Sequence, residues 1–445
     1  MKKEETILET EIQLIAEKFI EKIQDKEVQI ISHFDTDGIT SATIMIQTLK
    51  QLDKKFSLKI VKRLEEDFIY NLPKNKITLF LDLASGSLHH IAKHELKNVF
   101  IIDHHELTHE IPDGIQIINP ELKNKQKISS AGLTFLFCKH INPKNKESTK
   151  LAVLGMIGDL MEKNIDKLNN NILNEGEVNK KRGLLIYPST RPLNRTLEYS
   201  SKPYIPGVTG NTQGVIELLR EIELKPKNGK YKSLIELNEK EMQKLITAIM
   251  LRNPKLKSEE IIGDIFLIKL FNKLEDAREI SAMINACSRL GKSELAIQLC
   301  MENSKIKKMV ESTYAKYKQF IITGLKLVSE IQKIQGKNFI IINAKDKIRD
   351  TIIGTIASIL SNSSLYEKGT IITTMAYYDD KIKISSRNVG RQGRNVREIL
   401  NNVVTKIGGE VGGHKCAAGC MIHQEKEEEF IELLKKNLEI EMVRI

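Results

Sequence analysis

The feature that most constrains this chain is a set of short apolar runs that each stop at an acidic residue. VQIIS leads into HFDTDG at 33–38, ITLFL leads into Asp82, and VFII leads into Asp103-His104-His105. The runs at 28–31, 58–61, 77–81 and 99–102 read as strands. Helical periods at 7–24 and 39–52, then at 133–140 and 150–161, lie before, between and after them. Strands alternating with helices predict a parallel sheet with right-handed crossovers. Such sheets bind ligands in the crevice outside the carboxyl ends of their strands. Acidic residues about 70 positions apart in sequence would therefore meet at one crevice. A fourth apolar run, LAVLGMIG, ends in Asp159 and supplies a further carboxylate from a neighbouring helix.

The spacing His33-x-Asp35-x-Asp37 points one imidazole and two carboxylates the same way in extended chain. Gly38 then permits a sharp turn into the next helix. Carboxylates this close repel, and bound divalent metal is the natural compensation. Oxygen-rich ligands with a few imidazoles and no thiolate favour Mn²⁺ or Mg²⁺ over structural zinc. Two such ions, about 3.5–4 Å apart, can clamp a phosphate and activate water. Each piece alone has a plainer meaning: Asp-x-Asp-Gly is also a turn or helix cap, and Asp159 also a helix end. His89-His90, with no acidic neighbour in the sequence, reads as surface or core. The joint pattern, an acidic terminus on each of several strands, selects the metal site.

Beyond about 165 the pattern changes. Pro, Gly and Asn punctuate 186–214, helical periods dominate 213–330, and a long basic helix is expected at 305–335. Strands resume at 339–342, 370–374 and 381–385, with helices near 351–360 and 395–405. A glycine-rich turn, GGEVGGHKCAAG at 408–419, precedes a final helix at 425–438. The expected architecture is α/β: a parallel-sheet domain at 1–165, a mainly helical middle at 166–335, and a smaller α/β domain at 336–445. The 445 residues carry 69 Lys+Arg against 58 Asp+Glu, a net +11 that suits a polyanionic partner. Aromatics at 5% make base recognition weak and binding largely sequence-independent. The basic segments at 225–232 and 305–318 either track phosphates or are solvated faces. Asn285 and Arg289, four apart on one helix face, either contact phosphate or serve the fold. The five cysteines are too few and scattered for a disulfide framework and read as buried apolar residues. No apolar run approaches the ~18 residues of a membrane span, and MKKEETILETE lacks a signal-peptide core, so a cytoplasmic protein is expected.

At these residues the sequence resembles the DHH phosphoesterase superfamily. It has HFDTDG at 33–38, LFLD at 79–82, IDHH at 102–105 and GMIGD at 155–159, while SSRN at 385–388 and VGGHKCAAG at 411–419 resemble the DHH-associated domain. The resemblance implies that His33 and Asp35 hold one ion, that Asp37, His104 and Asp159 hold another, and that Asp82 bridges them. His105 would contact the substrate phosphate or assist the leaving group, and Asp103 would orient its neighbours. It implies two Mn²⁺ ions, with Mg²⁺ as the alternative, and hydrolysis by activated water without a protein nucleophile. In the C-terminal domain Arg387, Asn388, Gly412, Gly413 and His414 would bind substrate, Arg387 as a fork for phosphate oxygens. Only Phe34 separates His33 from Asp35, where the superfamily often has three residues, and Val411 stands where it commonly has glycine. The stretches at 201–221 and 275–300 resemble archaeal RecJ-like exonucleases, the group related to GINS-associated nuclease. That implies a single-strand-specific exonuclease acting 5′→3′ on DNA and also on RNA, in replication or repair, with GINS and the replicative helicase as partners. The alternatives are a replication scaffold bound to GINS and a phosphodiesterase of oligoribonucleotides or cyclic dinucleotides. The complete acidic and histidine set argues for retained catalysis.

Overall fold

The computed structural model describes residues 7–439, apart from 108, 124, 164, 177, 201, 202, 255, 364 and 392. After α1 (Ile7–Lys22), the chain runs through β1 (Val28–His33), α2 (Thr36–Gln51), β2 (Phe56–Val61), α3 (Glu66–Tyr70), β3 (Ile77–Leu81), α4 (Leu88–Lys93), β4 (Val99–Ile102) and β5 (Gln116–Ile118). The strands form one sheet in the order β2-β1-β3-β4-β5, every pair parallel. β3 and β4 are buried at every position, as their unbroken apolar runs require. The short strand β5 falls outside the sequence expectation because three residues carry too little pattern to read. Pairing of Ser32 with Leu81 and of Leu81 with Ile102 brings the three motif-bearing strand ends side by side. The strand order reverses between β1 and β3, the switch point at which open α/β sheets bind ligands.

Helices α5 (Ser130–Ile141) and α6 (Thr149–Gly158) pack with α2 over this sheet. Each is apolar almost all round, as a helix covered on most sides must be. Phe19 of α1 packs edge-on against Phe100 and Phe137, at 5.1 and 5.4 Å between ring centroids.

The middle is mainly helical, with α7 (Lys167–Glu175), α8 (Leu193–Glu198), α9 (Thr212–Glu221), α10 (Glu239–Arg252) and α11 (Ser258–Ile261). It also holds a three-stranded antiparallel sheet that corrects the helical reading of 213–330. Its strands are β6 (Asn179–Leu184), β7 (Ile262–Leu270) and β8 (Lys273–Asp276), with β7 central. The apolar run IFLI within β7 suits a buried strand and a buried helix equally. β6, NKKRGL, is too basic to read as a strand. Its charges are answered across the ladder, Lys180 Nζ lying 2.7 Å and Arg182 Nη1 3.8 Å from Asp264. Helices α12 (Ala277–Arg289) and α13 (Ser293–Cys300) follow.

The chain divides into two compact units, residues 1–311 and 312–445, the division falling within α14 (Lys307–Glu330). The second unit adds β9 (Ile334–Gly336), β10 (Phe339–Asn343), α15 (Asp350–Ser361), β11 (Ile371–Tyr378), β12 (Lys381–Asn388), α16 (Val396–Ile407), β13 (Glu410–His414), β14 (Ala417–His423) and α17 (Glu427–Glu439). Its sheet runs β13-β14-β12-β11-β10-β9, mixed because only β10 and β11 pair parallel. The glycine-rich stretch expected as a turn is a β-hairpin, Gly412 pairing with Gly419 and Gly413 with Ala418. Glycine and alanine carry no alternation of polar and apolar side chains, so the strand left no mark in the sequence. All five cysteines are free, and four are buried. Among the described residues no helix is long and apolar enough to cross a membrane.

Candidate metal centre

The centre is assembled from the ends of β1, β3 and β4 and the loop after α6. Asp35 caps α2, its Oδ1 accepting from Gly38 N at 3.1 Å. The turn is so tight that a Cβ on residue 38 would lie 2.3 Å from the His33 carbonyl oxygen, so only glycine fits. Asp82 leaves β3 with φ at +60°, a left-handed conformation held at a site where geometry matters more than backbone ease.

Two ligand groups share Asp82. Around one oxygen, His33 Nδ1 lies 3.3 Å from Asp82 Oδ2 and 3.0 Å from Asp35 Oδ2. Around the other, His104 Nε2 lies 3.4 Å from Asp82 Oδ1, 3.1 Å from Asp159 Oδ2 and 3.8 Å from Asp37 Oδ2. His33, Asp35 and Asp82 form one cluster with metal-ligand spacing, and Asp37, His104 and Asp159 form another. A third grouping, Asp82 with His104 and His105, overlaps them.

Asp37 is fully buried and clamped by the start of α5, accepting from Ser130 N at 2.7 Å and Ala131 N at 2.9 Å. Burial, and next the Asp82 charge, still push its carboxyl up to about 7. Burial and the Asp37 charge raise Asp159 well above the usual carboxylate range. Asp82 goes the other way. Burial opposes its charge, but the imidazoles of His104 and His33 hold it well below. Those imidazoles are raised in turn, against the cost of burial, by Asp35 at His33 and by Asp82 and Asp159 at His104. Without further positive charge the cluster has to keep protons on buried carboxylates. Asp82 Oδ1 and Asp159 Oδ2 are buried without a hydrogen-bond partner, although His104 stands beside both. Orphaned carboxylate oxygens beside imidazole nitrogens, with no thiolate near, are a donor set for hard divalent ions. The residues present fit such ions.

Asp103 supports the centre from beneath. Its Oδ1 accepts from His104 N at 2.8 Å and lies 2.7 Å from His105 Nδ1, while Oδ2 accepts from Ser85 N at 3.0 Å. Burial opposes this charge, yet the neighbouring His105 brings the Asp103 carboxyl down to about 2. Asn119 closes the network, donating to Ser85 Oγ and to the His105 carbonyl, both at 2.9 Å. Ser85 and Asn119 carry no motif, so nothing in the sequence singled them out. Asp103→Asn would turn an amide N–H toward groups that already donate. The expected result is a roughly 10–100-fold lower hydrolysis rate with metal binding retained. Turnover measured beside a Mn²⁺ thermal-shift titration checks both halves.

Helix α12 reaches the same region. Thr36 Oγ1 donates to the Ser281 carbonyl at 3.0 Å, and the Arg289 guanidinium lies over the Phe34 ring at 5.8 Å. Asn285 Oδ1, on the same helix, is buried without a hydrogen-bond partner. Of the basic segments, Lys232 pairs with Glu241 at 2.7 Å and Lys307 lies 3.3 Å from Glu275, so part of that charge serves the fold. In the second unit, Arg387, Ala417 and His414 align across β12, β14 and β13. Arg387 donates to Ser358 Oγ and to the Ser386 and Ala418 carbonyls. Asn388 Nδ2 donates to the Arg394 carbonyl at 2.7 Å, and its Oδ1 is buried without a partner. Gly412 and Gly413 lie beside them on β13.

A parallel sheet whose strand ends build a shared carboxylate–imidazole centre defines the class of divalent-metal hydrolases. Three family models match the chain: the N-terminal domain of the DHH family at 27–158, the DHH-CID domain at 186–259 and the DHHA1 domain at 336–439. The chain thus carries DHH, DHH-CID and DHHA1 domains. An uncharacterized protein of Methanocaldococcus jannaschii, MJ0831, is 28% identical over 438 residues, 95% of this chain and 96% of that protein. RecJ in complex with Mn²⁺ from Thermus thermophilus superposes with a TM-score of 0.62 at 18% identity, covering 97% of this chain and 55% of that one. CDC45 from Entamoeba histolytica superposes at 0.65 with 13% identity, covering 96% and 99%. The chain thus has the RecJ-like fold and spans about half the length of that RecJ chain.

Proposed function

We propose that this protein is a single-strand-specific exonuclease that hydrolyses phosphodiester bonds of DNA, in the 5′→3′ direction, and of RNA, with Mn²⁺ as the preferred ion and Mg²⁺ as an alternative. One observation carries the reading: Asp82 presents one oxygen to each of two complete ligand groups. His33 and Asp35 would hold one ion, and Asp37, His104 and Asp159 the other. Ions held there supply positive charge to the phosphoryl oxygens and make water a stronger nucleophile at neutral pH. The chain's own residues do the positioning. The α5 amides fix Asp37, and Asp103 fixes the His105 ring through Nδ1. His105 would then contact the substrate phosphate or assist the leaving oxygen. Burial opposes its charge, but Asp103 raises its pKa above the ordinary imidazole value. Arg289 over Phe34 offers a cation beside the centre. Arg387, Asn388, Gly412, Gly413 and His414 are the proposed substrate contacts in the second unit. Replication or repair is the proposed setting, with GINS and the replicative helicase as partners to test.

The test uses end-labelled single-stranded DNA and RNA with Mn²⁺ or Mg²⁺, beside the duplexes. Stepwise shortening from the 5′ end of single strands, with duplexes spared, is expected. Cleavage confined to the shortest oligonucleotides or to cyclic dinucleotides would move the protein to the small-substrate phosphodiesterases. No cleavage with either ion would make it a binding subunit.

A further inference from the structure

Residues 225–232, KPKNGKYK, hold four lysines in eight positions, and the chemistry at the metal centre uses none of them. The stretch folds as a hairpin. Lys227 N donates to the Lys230 carbonyl at 2.8 Å, and Lys230 N donates to the Lys227 carbonyl at 3.1 Å. Asn228 and Gly229 make the two-residue turn with φ at +50° and +74°, the left-handed pair that suits Asn-Gly. A Cβ on Gly229 would meet nothing within 4 Å, so the tip stands in open solvent.

The base of the hairpin is fixed where its tip is free. Leu224 is buried in the middle core, and Tyr231 packs against the same cluster. The Lys232 carbonyl accepts from Leu193 N at 2.9 Å, and Ser233 bridges to Pro192. With Tyr231 turned to the core, Lys230 and Lys232 face away from it, as alternation along extended chain requires. Lys227 stands directly opposite Lys230 and shares that outward face.

Like charges held opposite each other on a hairpin repel. Elsewhere in the middle region such charges are answered: Lys180 pairs with Asp264, Lys232 with Glu241 and Lys244 with Glu223. Among the described residues Lys227 and Lys230 have no ion-pair partner. An ammonium is a compact, hydrated point charge that meets phosphate without reading a base. Because Tyr231 is committed to the core, the hairpin offers no ring for base stacking.

We propose that this hairpin contacts backbone phosphates of the single strand, through Lys227 and Lys230, on a surface carried by the middle core and not by the elements that build the metal centre. The inference rests on the single-strand reading of the substrate and adds a sequence-independent hold on that strand.

The test is binding of labelled oligothymidylate and oligoadenylate to the full chain carrying Asp82→Ala, in chelator, over a series of salt concentrations. Neither cleavage nor bound metal is needed, so a failed nuclease assay and a failed hairpin assay are separate results. Adding K227Q/K230Q should weaken both oligonucleotides alike and lower the slope of log affinity against log salt by about 1.4, since each phosphate contact on a single strand contributes about 0.7. Its melting temperature should equal or exceed the parent's, because like charges are relieved. K227R/K230R should restore the slope. K180Q/K244Q removes the same two charges from paired positions and should keep it. An unchanged slope in K227Q/K230Q, or an equal fall in K180Q/K244Q, overturns the proposal. Loss of binding to polyglutamate alone, with the oligonucleotide slope kept, overturns it in favour of an acidic protein surface.

Discussion

Asp82→Ala is expected to abolish hydrolysis while leaving the fold intact. Among the described residues no other side chain serves both ligand groups, as Oδ2 faces His33 and Oδ1 faces His104. Removing it takes a ligand from each proposed ion at once. The loss of several kcal/mol of transition-state stabilisation is on the order of a thousandfold or more in rate. Stability should respond differently. Asp82 is 2% exposed and adds to the like charge that holds Asp37 and Asp159 above the usual carboxylate range. Removing it relieves that repulsion, which offsets the missing carboxylate partner of the two imidazoles, so the metal-free melting temperature should change little. The wild type should gain stability with Mn²⁺, about 2.7 kcal/mol at a hundred times the dissociation constant, by mass action. The variant should gain far less. Melting curves with and without Mn²⁺, run beside the end-label assay, read both effects. Full cleavage by the variant, or an undiminished Mn²⁺ response, would sink the shared-ligand reading.

Much of the centre was visible in the sequence because each metal-ligand strand announces its own end. ITLFL stops at Asp82 and VFII at Asp103, and the pairing of Leu81 with Ile102 makes those ends neighbours. What lay hidden depends on partners from other elements. The clamp on Asp37 comes from the amides of Ser130 and Ala131, more than ninety residues on, and backbone groups leave no trace in residue identity. Ser85 and Asn119 are likewise ordinary until Asp103 and His105 are placed against them. Glu66 explains why His89-His90 was read as bland, since the acid that faces His90 belongs to α3. In the fold, the missed elements are those whose side chains contradict or lack a pattern. The basic strand β6 is held by its ladder to β7, and β13 by backbone pairing through glycines.

Gly155→Ala should separate catalysis from stability most sharply. Gly155 lies inside α6, where alanine is the better helix former by about 1 kcal/mol. Its new methyl would arrive 2.3 Å from Asp37 Oδ1, 2.5 Å from Ala131 Cβ and 3.0 Å from Thr40 Oγ1. Asp37 has no room to yield, being fully buried and bonded to Ser130 N and Ala131 N. Overpacking of this kind typically costs about 1–3 kcal/mol, and the helix gain offsets part of it. The urea midpoint should therefore fall only modestly. The displaced carboxylate has a larger consequence, because a shift near 1 Å in a reacting array can cost about 100-fold in rate. Gly132→Ala is the matched control, since its methyl would meet Ile128 Cγ1 at 2.7 Å and no ligand. It should alter stability and spare both activity and the Mn²⁺ response. Equal loss of activity in the two variants would show that general packing, and not the position of Asp37, is what Gly155 protects.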